Sequence, residues 1–242
     1  MYRQLEIFFT SLMLAAAMAG MVLMPAVSMA QSPPIPGFYG RVSGMEARIN
    51  NLPADRLPQL NEIVSGISGI STSGARMDVN QSESKAVIKW DEFNIGEDAY
   101  VKFNQDSTDW VAVNKILDAN PSLVLGKLEA DGKIYLINAN GILFGKDSRI
   151  NVHSLIASTL GIDEDLVDGI NFTTIDADAD SAITNLGDIT AKAGGAVILV
   201  APTVENGGTI DATQGKIFLL GGTRAVVENG DVKTIITDEK DI

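Results

Sequence analysis

From about Ile63 onward the chain is a succession of short apolar, β-branched runs separated by Gly, Asn and Asp. That punctuation predicts strands, because a helix would space its apolar positions at three and four. Compared with itself, the chain repeats. Asn185, Gly187 and Ile189 followed by Gly195-Ala-Val-Ile-Leu-Val resemble Asn206, Gly208 and Ile210 followed by Gly215-Lys-Ile-Phe-Leu-Leu, with offsets of 21 residues early and 20 late. Gly132-Lys-Ile-Tyr-Leu-Ile lies 63 residues before Gly195, which a period of 21 reads as three coils, and Val227-Glu-Asn-Gly echoes Val204-Glu-Asn-Gly at 23. A drifting period of this size, built from strands and turns, predicts a solenoid. The regular Leu/Asn consensus of leucine-rich repeats is missing, so a parallel β-helix fits better.

The register agrees. Ile134, Val197 and Ile217 align, as do Leu136, Leu199 and Leu219, and alternation along a strand puts all six on one side as stacked interior columns. At about 4.8 Å per coil, roughly eight coils from about Ser73 to the end predict a rod of about 40 Å. Tyr135, Ile198 and Phe218 point the other way and are also apolar. That outer face needs a cover: an extra-helical strand pair, a helix or a partner. Asn138, Asn140, Gly141, Asn185, Asn206 and Asn229 are corner candidates, since tight bends need a positive φ and stacked Asn side chains bond from coil to coil.

The N-terminal third differs in kind. Arg3 precedes an apolar run from Ile7 to Met24, Pro25 ends it, and Ser28 and Ala30 place small residues before Gln31. Residues 1–30 are therefore read as a secretory signal peptide, with an uncleaved anchor as the weaker alternative. No later run is long and apolar enough to span a bilayer. Residues 31–62 are read as a linker and N-terminal extension: a Pro/Gly-rich extended stretch from Gln31 to Arg41, then a short helix around Met45 to Asn51 stopped by Pro53 and Pro58.

Composition narrows the function. The 242 residues carry 31 acidic and 18 basic side chains, a formal charge of −13, one histidine and no cysteine. Disulfides, Cys-ligated metals and thiol nucleophiles are excluded, and His-based triads lose their usual residues. The net field opposes nucleic acid and anionic membrane, and no basic stripe offsets it. Absence of cysteine fits either a core large enough to need no covalent link or a chain that crosses a pore in extended form. Asp176-Ala-Asp-Ala-Asp180 begins like a calcium loop, but Ser181 and Gly187 break that pattern, so a solvated edge is the better reading. Asp163-Glu-Asp165 reads as an acidic first turn or loop, and His153 as a surface or corner residue. Trp90, Phe93, Tyr100 and Phe103 read as a core cluster at the first coils, with Trp110 as a contact candidate. Parallel β-helices also host lyases and glycosidases, which need carboxylate pairs or calcium-binding acids with a Lys or Arg base along one groove. Seven Arg and eleven Lys are scattered, and no motif assembles them.

Ala86-Val-Ile-Lys-Trp-Asp-Glu-Phe-Asn-Ile-Gly96, Val101, Phe103-Asn-Gln105, Val113-Asn114, Asn120-Pro-Ser122, Gly126-Lys-Leu-Glu-Ala-Asp-Gly-Lys-Ile-Tyr-Leu-Ile-Asn-Ala-Asn-Gly-Ile-Leu-Phe-Gly145, Ile150-Asn-Val152 and Leu155-Ile-Ala-Ser-Thr-Leu160 follow one another in order. This run from Lys85 to Leu160 resembles the secretion domain at the N-terminus of two-partner-secreted exoproteins, the filamentous-haemagglutinin family with its haemagglutination activity domain. With its flanks the resemblance covers residues 63–170, leaving 171–242 as further β-helix coils.

The resemblance implies an all-β, right-handed parallel β-helix of about 21 residues per coil, with an N-terminal cap and extra-helical strands. It implies passage through the periplasm to a secreted or cell-surface location, and recognition by the POTRA domains of an outer-membrane β-barrel transporter. No cofactor, metal or catalytic role is implied. The family's Asn-Pro-Asn-Gly-Ile motif stands here as Asn138-Ala139-Asn140-Gly141-Ile142, the expected recognition or turn motif. Ala139 in place of proline is expected to cost about 0.4–1 kcal/mol where the bend suits proline. Asn120-Pro121-Ser-Leu123 is the nearest string to the family's second motif, and Asn120, Pro121, Trp90, Phe93 and Asn94 are the weaker recognition candidates. Strands around Trp90 to Ile95 and Ile134 to Phe144 are expected to add edge-on to a POTRA sheet before folding. The alternative is a small surface adhesin or structural protein binding a host-cell or carbohydrate ligand, with Asp238-Glu-Lys-Asp241 as charged protection after a strand-like Thr234-Ile-Ile-Thr237. A fragment of a longer adhesin is the other expectation for the same terminus.

Overall fold

A computed structural model describes residues 38–162, 170–173, 181–222, 224–228 and 231–236. The signal-peptide reading, both acidic clusters, Asn229 and Asp238-Glu-Lys-Asp241 fall outside them. The chain divides into two compact units, Met1–Ala47 and Arg48–Ile242. Helix α1 spans Phe38–Asn51. The extended linker read to Arg41 is thus corrected from Phe38 on, and the helix is longer than Met45 to Asn51. Pro36 lies before the helix and Pro53 after it, so no proline interrupts the interval, and Gly40 and Gly44 are carried within it.

The remainder is wound β structure. One sheet holds β1 (Gln59–Ser65), β4 (Lys85–Glu92), β6 (Val111–Ile116), β9 (Lys133–Ile137), β12 (Ser154–Ser158), β17 (Ala196–Ala201) and β20 (Lys216–Gly221), in that order. A second holds β2 (Ile67–Ser73), β3 (Arg76–Gln81), β5 (Tyr100–Asn104), β8 (Lys127–Ala130), β11 (Arg149–Val152), β16 (Asp188–Ala191) and β19 (Thr209–Ala212). A third, shorter sheet holds β7 (Ser122–Val124), β10 (Ile142–Phe144), β15 (Ala182–Asn185) and β18 (Thr203–Asn206), with Ile95 bridged to Val124 below. We call them the long, polar and short sheets. A complete coil gives one strand to the short, the polar and the long sheet in turn. Pairing within these three sheets is parallel, apart from β1 on β4 and β2 on β3, which are antiparallel at the first coil. This is the parallel β-helix the sequence predicts.

The interior columns are those read from the repeats. Ile134 pairs with Leu155, Leu155 with Val197 and Val197 with Ile217, while Leu136, Ala157, Leu199 and Leu219 form the next column. Across the core, Met77, Val101, Leu128, Ile150 and Ile189 stack in the polar sheet. All but the last coil's Ile217 and Leu219, each 44% exposed, are sealed from water. Burying such side chains contributes about 1.5–3 kcal/mol apiece, which is what holds each coil to its neighbour.

Two expectations change. Gly132 to Gly195 is two coil rises rather than three, since 42 residues separate Leu155 from its partner Val197. The surplus leaves the helix as β13 (Gly161–Ile162) and β14 (Ile170–Thr173), which join β21 (Arg224–Glu228) and β22 (Asp231–Ile236) in an antiparallel sheet. That detour, with the antiparallel pairing of β21 and β22, brings the expected eight coils to six among the described residues, the six parallel members of the long sheet.

The outer apolar face does have a cover. Val87, Val113, Tyr135, Ile156 and Ile198 form a second buried cluster with Leu160 and Ile162, the latter from β13, and Phe218 packs against it. Burial without a charged partner pushes the Tyr135 phenol up to about 12.

Candidate functional site

The turn from Asn138 to Ile142 connects β9 to β10 and closes the corner between the long and short sheets. Asn138 is fully buried. Its Nδ2 donates to the Asn120 carbonyl at 3.1 Å and to Ser122 Oγ at 3.0 Å, and its Oδ1 accepts from the Asn140 backbone N–H at 2.9 Å. The last bond is the side-chain-to-backbone turn that Asn forms two residues on. Asn140 is exposed, and its Nδ2 donates to the Asp118 carbonyl at 2.8 Å. Gly141 has φ +113°, where a side chain is strained, and a Cβ there would lie 3.0 Å from the Ala182 carbonyl oxygen. Ala139 is half-exposed and Ile142 is buried in the core.

The structure brings the two predicted motifs together. β7 pairs with β10 through Ser122 and Ile142, so Asn120-Pro121-Ser122 is the turn immediately beneath Asn138-Ala139-Asn140. Below that, Asn94 Oδ1 accepts from the Leu123 N–H at 2.7 Å. Three successive coils are therefore tied at one corner by asparagine side chains. Higher up, Asn185 Nδ2 donates to Asn206 Oδ1 at 2.8 Å, the coil-to-coil ladder expected of stacked asparagines.

Trp90 and Phe93 belong to the core of the folded chain. Both are buried, edge to face at 5.4 Å between ring centres, and Trp90 Nε1 donates to Asn114 Oδ1 at 2.9 Å. Phe103 is buried with them. Tyr100 departs from the expected cluster because strand alternation turns it outward, between the Arg76 guanidinium, 4.4 Å from its ring centre, and Glu129, which accepts its hydroxyl at 2.8 Å. Trp110 is half-buried and His153 sits at the bend after β11, as read, its pKa lowered by burial and then by Lys133.

Two polar devices were not singled out from sequence. Asn114 occupies an interior column between Ile88 and Leu136, satisfied by Trp90 and by donation to the Ala112 and Tyr135 carbonyls. Gln105 joins Gln81 to the Gly132 N–H at another corner. The residue strings contain both, but nothing in an isolated Asn or Gln tells inward from outward.

Stacked parallel coils, antiparallel strands that leave the winding and an asparagine-tied corner define a parallel β-solenoid. The sequence profile of the TPS secretion domain matches residues 52–240, and the chain belongs to that family. Two heme/hemopexin-binding proteins of Haemophilus influenzae are similar to it, one 35% identical over 69% of this chain and 19% of its own length, the other 40% identical over 42% and 11%. The chain thus spans about a fifth or less of these relatives. The crystal structure of the HMW1 secretion domain from Haemophilus influenzae aligns with a TM-score of 0.69 at 30% identity, covering 74% of this chain and 50% of that one. The family is a structural secretion domain and not a catalyst, which removes the lyase and glycosidase alternative.

Proposed function

We propose that this chain is the part of a two-partner-secreted protein that the POTRA domains of its outer-membrane transporter recognise in the periplasm, after a signal peptide at residues 1–30 has directed it there. The observation that carries the reading is the family match over residues 52–240, together with the motif turn it contains. In the folded chain β4, β9 and β10 each have a neighbour on both edges, so none has an edge to offer a POTRA sheet. Strand addition at these segments therefore belongs to the unfolded chain, and coil-by-coil stacking outside the cell then removes it from the recognising surface. Asn138 and Asn140 serve recognition while their side chains are free and hold the corner once folded. Pull-down of the chain with the transporter's periplasmic region, comparing wild type with Asn138→Ala plus Asn140→Ala, tests this. Loss of capture and of secretion is expected; unchanged capture and secretion would exclude the motif from recognition.

A further inference from the structure

Three asparagines of the chain precede a glycine: Asn140, Asn206 and Asn229. Such a pair is chemically weak, because glycine has no Cβ to keep its amide nitrogen away from the preceding side chain. The nitrogen gives up its proton and attacks the asparagine Cγ. The Cγ–Nδ2 bond breaks, ammonia carries the proton off, and a five-membered imide remains. Water then opens one of the two imide C–N bonds. One route leaves aspartate; the other leaves isoaspartate, in which the main chain runs through the side-chain carbon. Nothing is oxidised or reduced. The step does need a near-attack pose, with nitrogen and Cγ in contact and both groups free to turn.

The motif corner denies that pose. Asn140 is exposed, so water is at hand, yet its Nδ2 is held at 2.8 Å by the Asp118 carbonyl of the turn beneath. The Gly141 N–H donates to the Asn138 carbonyl at 3.1 Å, and Gly141 is itself buried. Asn138 Oδ1 fixes the Asn140 N–H at 2.9 Å from the other side. Swinging Cγ onto the nitrogen breaks the first of these bonds, and freeing the nitrogen breaks the second. Reaction in the folded chain therefore runs only through the fraction that is locally open. A reacted corner does not close again. Isoaspartate adds a backbone carbon between Ile137 and Ile142, whose register with Ser158 and Ser122 is fixed. Either product replaces the amide donor by a carboxylate that faces the Asp118 carbonyl without a proton to offer.

We infer that Asn140 is a self-modifying site that folding silences: the unfolded chain converts it to aspartate and isoaspartate, and the closed corner preserves it. Asn206 is protected by its own corner, where the Gly207 N–H donates to the Asn185 carbonyl and Asn206 Oδ1 accepts from Asn185 Nδ2, both at 2.8 Å. Under the export reading above, on which only this consequence rests, Asn140 records the time a chain spends unfolded before it crosses the outer membrane. Incubating the full chain at neutral pH, folded and in guanidinium, and following amide loss at Asn140 by peptide mass spectrometry tests the inference. Loss about tenfold or more faster in the denaturant is expected. Equal rates in the two states, or no loss in either, would overturn it. In folded Asn138→Ala, Asn140 should react several-fold faster than in wild type while Asn206 keeps its wild-type rate. An unchanged Asn140 rate, or equal acceleration at Asn206, would overturn the protective role of the turn. Each of these failures leaves the secretion reading standing, because capture by the transporter is a separate measurement.

Discussion

The outward faces of the long and polar sheets are made by the same coils and have opposite fates. On the long sheet the outward column Val87, Val113, Tyr135, Ile156 and Ile198 is apolar and shut away beneath chain that left the solenoid. On the polar sheet the outward positions Lys127, Arg149, Asn151, Asp188 and Thr190 stay exposed. The inward columns of the two sheets are apolar and dry, apart from Asn114 and the exposed Ile217 and Leu219 of the last coil. Alternation along a strand decouples the two sides, so a solenoid fixes its winding with one set of residues and leaves the other set free for a second task. One outer face is used for covering, the other for display.

The contrast is broken most sharply by introducing charge. Ile156→Lys should cost more than about 3 kcal/mol, because the ammonium is buried without a partner, whereas Thr190→Lys should stay within about 0.5 kcal/mol. Denaturant midpoints of the two variants check this, and similar losses would mean that the long sheet's outer face is open to water. The inward side is sharpened by Asn114→Leu. It makes the core more apolar yet leaves Trp90 Nε1 unpaired, so a loss of about 1–3 kcal/mol is expected in the same assay. A loss of similar size is alkaline. The folded Tyr135 phenol titrates near 12 and its unfolded counterpart near 10.0. The stability this raised value contributes is whole below pH 10 and drains away as pH rises towards 12. Melting temperatures of Tyr135→Phe should therefore fall less steeply across that window than those of wild type.

The winding itself was legible because its signal is repetitive: the Ile134 and Leu136 columns recur with the alternation and spacing that interior strands require. The need for a cover over Tyr135 and Ile198 was legible for the same reason. Coil number was not. A detour of about one coil length between β12 and β15 preserves the period in the sequence while adding no rise, so counting residues overcounts coils. Tyr100 was misplaced because aromatic character says core, while its position beside Val101 and Phe103 says outward, and the alternation wins. At the corner, the Asn138 turn was found through its motif. Its bond to the Asn120 carbonyl, and the bond from Leu123 to Asn94 beneath, were invisible, since they run between coils and bridge 18 and 29 positions of chain.

The 42-residue interval between Leu155 and Val197 shows how the architecture keeps its place. Alignment is dictated by which aliphatic side chain rests on which, and the length of connecting polypeptide has little say. Because closing a longer loop costs only about 0.6 kcal/mol for each doubling, a peptide tag or a whole binding module spliced between β13 and β14 should ride on the scaffold without shifting the rungs above it.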